Sequence, residues 1–180
     1  MVVMALLLVS ACGSSSNPPP LTALPPEAPA DLCSTIPMAL RQGLIATSDS
    51  DTTGAPTAAC SLRSSPSAAR TTRAVVTWLD NDDEATAQQV LDSQCRAIDP
   101  AEFTIQKGLT VKGATKVCGG SAKKADASTI AAMAGRQVLT VRVSNDSPGL
   151  GPRGGALAQG TRMLEAVIAG LVAPGATASP

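Results

Sequence analysis

The spacing of its cysteines constrains the fold of this chain more than any other feature. Five are present, and four of them, Cys33, Cys60, Cys95 and Cys118, lie more than twenty residues apart. Zinc sites need close pairs such as C-x-x-C, so this spacing favours two disulfides over a metal site. Disulfides persist in oxidising compartments, which agrees with an exported domain. Four cysteines allow three connectivities, and the residues alone do not choose among them.

The first eleven residues form an apolar leader that is typical of a signal peptide. Its last residues with the next one, Val9-Ser10-Ala11-Cys12, resemble the lipobox of bacterial lipoproteins. That resemblance implies cleavage before Cys12, followed by diacylglyceryl and palmitate attachment. No Lys or Arg precedes the apolar run. Two other interpretations therefore stay open: the leader is truncated at its start, or Cys12 is an ordinary cysteine in an apolar segment.

Composition after the leader separates a tether from a globular domain. Residues 12–30 are rich in Ser, Pro and Ala and nearly uncharged, so they cannot pack a core. Such a Pro-rich segment extends by about 3 Å per residue and reaches up to about 50 Å from a bilayer. Residues 31–173 are predicted to form one domain and residues 174–180 a flexible tail. We expect this domain on the extracytoplasmic face of the cell membrane, held there by a lipid at Cys12.

The charge balance and the absence of histidine exclude several functions. The formal net charge is zero, which argues against nucleic acid as a partner because phosphate binding needs a basic patch. The chain contains no histidine, so Ser–His–Asp and Cys–His nucleophile systems and histidine-ligated metals are excluded. We predict no catalytic residue, no metal ligand and no cofactor.

Residue periodicity predicts an α+β domain, in which about three helices pack on one face of an antiparallel sheet and two disulfides staple the whole. Thr72–Asp80 is the clearest strand, with Ala74, Val76 and Trp78 on one side. The other predicted strands are Ala59–Arg63, Phe103–Ile105, Leu109–Val117, and a hairpin of Ala127–Met133 and Gln137–Val143. A short helix remains an alternative for the first arm of that hairpin.

Three helices and two loops complete the prediction. The first helix is capped by Ser34 or Thr35 and ends near Gly43. The second follows Asn81 as its N-cap, with Glu84 completing a capping box, and stops at Asp99-Pro100. The third has an apolar side made of Leu157, Leu164, Val167, Ile168 and Leu171. The predicted loops are Thr47–Thr57 and Ser144–Gly155.

With these residues placed, the domain resembles the actinobacterial lipoproteins of the DUF3558 type over about Asp31–Leu171. The resemblance rests on Asp31-Leu32-Cys33-Ser34, Ala59-Cys60-Ser61-Leu62, Val111-Lys112-Gly113-Ala114 ahead of Cys118, and a closing strand and helix. A weaker similarity is to the extracellular sensor domains of mycobacterial serine/threonine kinases and their lipoprotein relatives. Both similarities imply the bridges Cys33–Cys60 and Cys95–Cys118, and neither implies a catalytic residue.

One motif leaves a hydrolase as the less favoured alternative. Ser121-Ala122-Lys123-Lys124 contains S-x-x-K, the serine–lysine nucleophile of penicillin-binding proteins. That mechanism needs Ser121 beside a deprotonated Lys124 at the buried start of a helix. The partner motifs are absent, and an exposed basic turn is the favoured interpretation.

Two polar segments are better explained by local structure than by ligand binding. Asp80, Asp82, Asp83 and Glu84 could bind calcium or act as an acid/base pair, but their spacing does not fit a calcium loop and helix capping explains them. Gly149–Gly155 with Arg153 could cradle an anion, yet it lacks the phosphate-loop pattern and is typical of a flexible turn.

A binding role is the remaining functional prediction. The sequence indicates a non-catalytic envelope lipoprotein whose domain binds a hydrophobic small molecule or an envelope protein. Trp78 is the candidate ligand-binding residue, with a place in the core as the alternative interpretation. A deep apolar cleft would favour a small ligand, whereas a flat apolar patch would favour a protein partner or a structural role.

Overall fold

Seven antiparallel strands form one sheet in a computed structural model, which describes residues 29–51, 56–68, 71–146 and 155–172. The strands are β1 (Leu44–Asp51), β2 (Thr57–Ser64), β3 (Thr71–Asp80), β4 (Phe103–Ile105), β5 (Lys116–Ala122), β6 (Asp126–Ala134) and β7 (Gln137–Asp146). The helices are a 3-10 helix (Leu32–Thr35), α1 (Met38–Arg41), α2 (Glu84–Arg96) and α3 (Gly155–Val172). The strand order is β1-β2-β3-β7-β6-β5-β4. The predicted α+β class is confirmed.

One face of the sheet is covered by α3 and the 3-10 helix and holds most of the core. Ala74, Val76 and Trp78 of β3 are buried there, on the one side of the strand where the sequence placed them. Because Gly160 has no side chain, α3 approaches the sheet closely; a Cβ at this position would lie 3.2 Å from Ile130 Cδ1. We call this surface the closed face.

The second helix, α2, packs on the opposite side of the sheet. Its Ala87 and Leu91 form a smaller buried cluster with Ala131, Met133 and Val138 of the β6–β7 hairpin. These strand residues alternate with those that contact α3, so β6 and β7 are apolar on both sides. The helices are therefore divided between the two faces rather than gathered on one.

Two disulfides join helices to strands. Cys33 of the 3-10 helix is bonded to Cys60 of β2, and Cys95 of α2 is bonded to Cys118 of β5. This is the pairing that the family resemblance implied. The first bridge lies in the core, where Cys33 is 3% and Cys60 0% exposed, whereas Cys95 and Cys118 are half-buried.

The start of α2 was placed correctly, but its capping residue was not. Asp83, rather than Asn81, is the N-cap, and its Oδ1 accepts a hydrogen bond from Thr86 N at 2.7 Å. Asn81 instead donates to Arg136 O. Hydrogen bonding from the Thr86 backbone lowers the pKa of Asp83. Since folding lowers the pKa of Asp83, its ionised carboxylate stabilises the folded state above the unfolded-state pKa. This stabilisation is lost as the pH falls through the folded-state pKa.

Three sequence-based assignments were wrong. Residues 47–51 belong to the edge strand β1 rather than to a loop. The sequence does not reveal this strand, because β1 is largely exposed on both sides and lacks apolar alternation. The first predicted helix is two short helices, with Pro37 between them as N-cap of α1 and Leu44 already in β1. The fifth strand spans Lys116–Ala122 rather than Leu109–Val117.

Several predicted features lie outside the described residues. They include the leader, Cys12, most of the tether, the segment 147–154 and the tail. No helix in the described ranges combines the length and the apolar character needed to cross a bilayer.

Candidate functional site

The face of the sheet that carries α2 is only partly covered by that helix. In the described structure α2 packs mainly on β6 and β7, and the neighbouring half of the sheet remains accessible. Strand register fixes which side chains share this surface, since residues directly opposite each other lie on the same side. We call it the open face, and its cross-strand rows are Ile45–Arg63–Arg73, Thr47–Ser61–Val75–Arg142, Asp49–Ala59–Thr77–Thr140 and Asp51–Thr57–Leu79–Val138.

Apolar side chains remain accessible on this surface. Val75 is 40% exposed and Ile45 is 45% exposed, although both lie on regular strands. Leu79 is half-buried, and Thr77 and Thr140 direct their hydroxyls at each other, with 2.5 Å between the Oγ1 atoms. One of these hydroxyls donates to the other, and the accepting hydroxyl keeps its own proton for a bound molecule.

Three neighbouring depressions lie along this face. The first, of about 340 Å³, lies between α2 and the strands and is lined by Val75, Leu79, Val90 and Val138 among others. A second of about 320 Å³ shares Gln94 and Arg142 with it and extends to Phe103. A third of about 300 Å³ shares Thr77 and Leu79 with the first and extends to Asp49. Because neighbouring depressions share lining residues, we call the three together the groove.

Arg142 is the charged residue best placed to orient a bound molecule. It is exposed, it lines both the first and the second depression, and its guanidinium forms no hydrogen bond or ion pair with any described residue. A guanidinium presents five donors in a planar fork that suits a carboxylate or a phosphate. The groove therefore combines apolar and polar wall residues with one cation, and Asp49 and Asp51 line its third depression, at the end away from Arg142.

The acidic cluster that follows β3 is divided between two structural roles. Asp80 is 4% exposed and accepts hydrogen bonds from Arg136 Nε at 2.9 Å and Gln137 Nε2 at 2.6 Å. These bonds tie the end of β3 to the β6–β7 turn. Asp83 caps α2, as described above. Within the described ranges, no three His, Cys, Asp or Glu residues are grouped so that they could hold a metal ion.

The serine and lysine of the S-x-x-K motif lie on a strand and on the turn after it. Ser121 is in β5, where it pairs with Ser128, and Lys124 is exposed three residues later. Lys124 borders a separate depression of about 280 Å³, of which Ser121 is not a lining residue. The helix start that the serine–lysine mechanism requires is not formed at these residues.

Trp78 is fully buried, in agreement with the interpretation that assigned it to the core. Its exposed fraction is 0%, and its side chain belongs to the cluster under α3. Trp78 also borders the third depression, from the other side of the strand. Its position gives no support to a ligand-binding role for the ring.

Known proteins do not identify the chain. Protein-family models, curated proteins and solved structures all give no match. The family resemblance stated above therefore stays a prediction, and the functional proposal rests on the geometry of the open face.

The alternation of β3 in the sequence already indicates a second apolar surface away from the core. The alternation that places Ala74, Val76 and Trp78 on one side of β3 also places Val75, Thr77 and Leu79 on the side away from the core. Two apolar sides on one central strand indicate that both faces are used. The register between β3 and β7, which brings Arg142 opposite Val75, required the structure.

Proposed function

We propose that the protein is a lipid-anchored envelope protein whose domain binds an amphiphilic ligand, apolar along its length and acidic at one end, in the groove of the open face. The anchor is Cys12, and the domain works on the extracytoplasmic side of the membrane. The lipobox-like segment and the two disulfides support this location. No catalytic step is part of the proposal.

The observation that carries the proposal is the combination of Val75, Leu79 and Val138 with Arg142 in one groove. Apolar surface removed from water contributes about 25 cal/mol per Å², so a ligand lying along these side chains gains affinity. A fixed cation at one point of the groove would orient the ligand through its acidic group. A wholly apolar ligand would leave the guanidinium unpaired.

The shape of the groove favours an extended ligand over a compact one. Each depression holds about 300–340 Å³, near the lower limit of small-molecule sites, and all are shallow surface features. A long acyl chain with a carboxylate or phosphate head fits three linked depressions better than a single globular molecule does.

Replacing Arg142 with glutamine is expected to weaken binding of a fluorescent long-chain fatty acid by about tenfold, the equivalent of about 1.4 kcal/mol. The thermal midpoint should change little, because Arg142 is exposed and forms no contact that stabilises the fold. Fluorescence titration of the detergent-solubilised protein measures the affinity.

Arg162→Gln is the matched control, since Arg162 is an exposed arginine on α3, across the sheet from the groove. Equal affinity of the wild type and the Arg142→Gln variant would contradict the proposed orientation. If the wild type binds no amphiphile, but Val75 is shielded from labelling in intact envelopes, a protein partner replaces the ligand.

The anchor is tested separately at Cys12. When cells are fed an alkyne analogue of palmitate, the wild-type protein should become labelled and sediment with membranes, and Cys12→Ser should abolish both. One acyl chain alone binds a bilayer only marginally, so loss of the diacylglyceryl group should release most of the protein. A labelled Cys12→Ser variant, or an unlabelled wild type, would rule out this anchor.

A further inference from the structure

We infer that two copies of this chain pair through the outer edges of their β1 strands, antiparallel and related by a twofold axis perpendicular to the sheet. The two seven-stranded sheets would then continue into each other. This inference rests on the edge strand and on charged residues next to it, and it does not depend on the ligand proposed above.

No described strand covers the outer edge of β1. Among the described strands β1 is terminal and pairs only with β2, so along Leu44–Ser50 no described strand takes up the N–H and C=O groups of the other edge. The opposite edge is β4, a strand of only three residues. Proteins usually protect long edges with Pro, Lys or a bulge. Leu44–Asp51 contains no Pro and no Lys, and its register with β2 is continuous.

Symmetry restricts the register of such a pair. A twofold axis perpendicular to the sheet keeps the open faces of both copies on the same side. An open-face residue of one copy must therefore lie opposite an open-face residue of the other. One residue of β1 then lies opposite itself. With Thr47 at the axis, Ile45 of each copy lies opposite Asp49 of the other, and nearly the whole strand is paired.

Charges beside the edge are complementary in this register. Arg63 and Arg73 lie directly opposite each other on β2 and β3, a like-charge pair that destabilises a sheet. Neither arginine forms an ion pair with a described residue, and the same holds for Asp49. Asp146, a nearby acid on β7, accepts a hydrogen bond from Ser144 instead.

Pairing brings the two signs of charge together. Asp49 of one copy would lie next to Ile45 of the other, and Ile45 is paired with Arg63. With neighbouring strands about 4.8 Å apart, the Cα atoms of Asp49 and Arg63 are separated by about 10 Å, which the two side chains span. Each dimer has two such Asp49–Arg63 pairs. Each pair covers the Ile45 side chain of one copy, which is 45% exposed in the single chain.

The dimer would leave the ligand groove accessible. The first two depressions are lined by residues of α2, β3, β4, β6 and β7, and only the third reaches β2 and the β1 residues Asp49–Asp51. Two open faces would join into one surface, with a groove on each side of the axis. Asp49 borders the third depression, whereas Arg63 lines none of the three, so Arg63→Asp tests the dimer apart from the groove.

The test is a charge swap followed by light scattering on the full-length chain in mild detergent. The wild type should show a concentration-dependent doubling of protein mass. Asp49→Arg and Arg63→Asp should each stay monomeric, because each places like charges across the interface. An equal mixture of the two variants should regain the doubled mass, since the new guanidinium of the first variant then faces the new carboxylate of the second. This recovery also shows that both variants are folded.

Arg162→Asp on α3 is the matched control and should dimerise as the wild type does. A wild type that stays monomeric at the highest concentration reached would overturn the inference. So would two single variants that both dimerise, or a mixture that stays monomeric. Fatty-acid binding is measured on the same samples, and its presence or absence neither supports nor contradicts the dimer.

Discussion

Replacing Trp78 with alanine is expected to lower the free energy of unfolding by about 4 kcal/mol, in the range found for large aromatic residues in cores. Trp78 is 0% exposed and is the larger of only two aromatic side chains in the chain. Its neighbours Val76, Val141 and Leu139 are too small to fill the cavity. Because small domains are stable by only about 5–15 kcal/mol, much of the stability would be lost.

Trp78→Phe provides the comparison. The indole Nε1 is buried and finds no hydrogen-bond acceptor among the described residues. Phenylalanine removes this unpaired donor, whose burial costs about 1–3 kcal/mol, and leaves a smaller cavity. We expect Trp78→Phe to cost less than half as much as Trp78→Ala in urea unfolding followed by circular dichroism. Equal losses for the two variants would mean that Trp78 is not packed as described.

Removing the Cys33–Cys60 bridge by a double change to alanine should cost about 4–5 kcal/mol. The loop that it closes has a sequence separation of 27, which gives about 3.5 kcal/mol in the chain-entropy model, and the rest comes from the buried sulfur atoms. The Cys95–Cys118 bridge, with a separation of 23, should cost about 3.5 kcal/mol, nearly all of it from the same chain-entropy model, since its cysteines are only half-buried.

Urea unfolding of the two double variants measures this difference. The half-buried bridge should also be the first to react with a reductant under native conditions, because its sulfur atoms are more accessible. A larger loss for the Cys95/Cys118 variant would contradict the assignment of the first bridge to the core. An unchanged unfolding midpoint for the Cys33/Cys60 variant would contradict the bridge itself.

Elements with a strong pattern were predictable from the sequence alone. The alternation of β3, the β6–β7 hairpin, the start of α2 and the apolar side of α3 each agree with the structure. In these elements local preference and tertiary packing favour the same conformation, so the sequence pattern suffices.

The elements that were missed owe their structure to distant contacts. β1 has few buried residues and is a strand because β2 pairs with it. The strand predicted at Leu109–Val117 forms at Lys116–Ala122 instead, with Gly119 and Gly120 inside it. A Cβ at Gly119 would lie 2.7 Å from Leu109 Cδ2, and one at Gly120 3.1 Å from Phe103 Cβ, so glycine is needed for close packing rather than for a turn.

The candidate site was only partly predictable for the same reason. Alternation shows that Val75 and Leu79 leave the core, but not whether a helix covers them. That depends on where α2 docks, which is set by Ala131, Met133 and Val138 on strands that come much later in the chain. The position of Arg142 in the groove likewise follows from register, which a single sequence does not reveal.

Native mass spectrometry of the protein extracted from its own membranes in mild detergent tests the central claim most directly. If the groove binds an amphiphile, the wild type should carry a noncovalent, lipid-sized adduct. Val75→Glu, which places a charge in the groove, should lack the adduct. Met38→Glu, at an exposed apolar residue on α1, should retain it. A wild type without an adduct, or an adduct that persists in Val75→Glu, would contradict a ligand site on the open face.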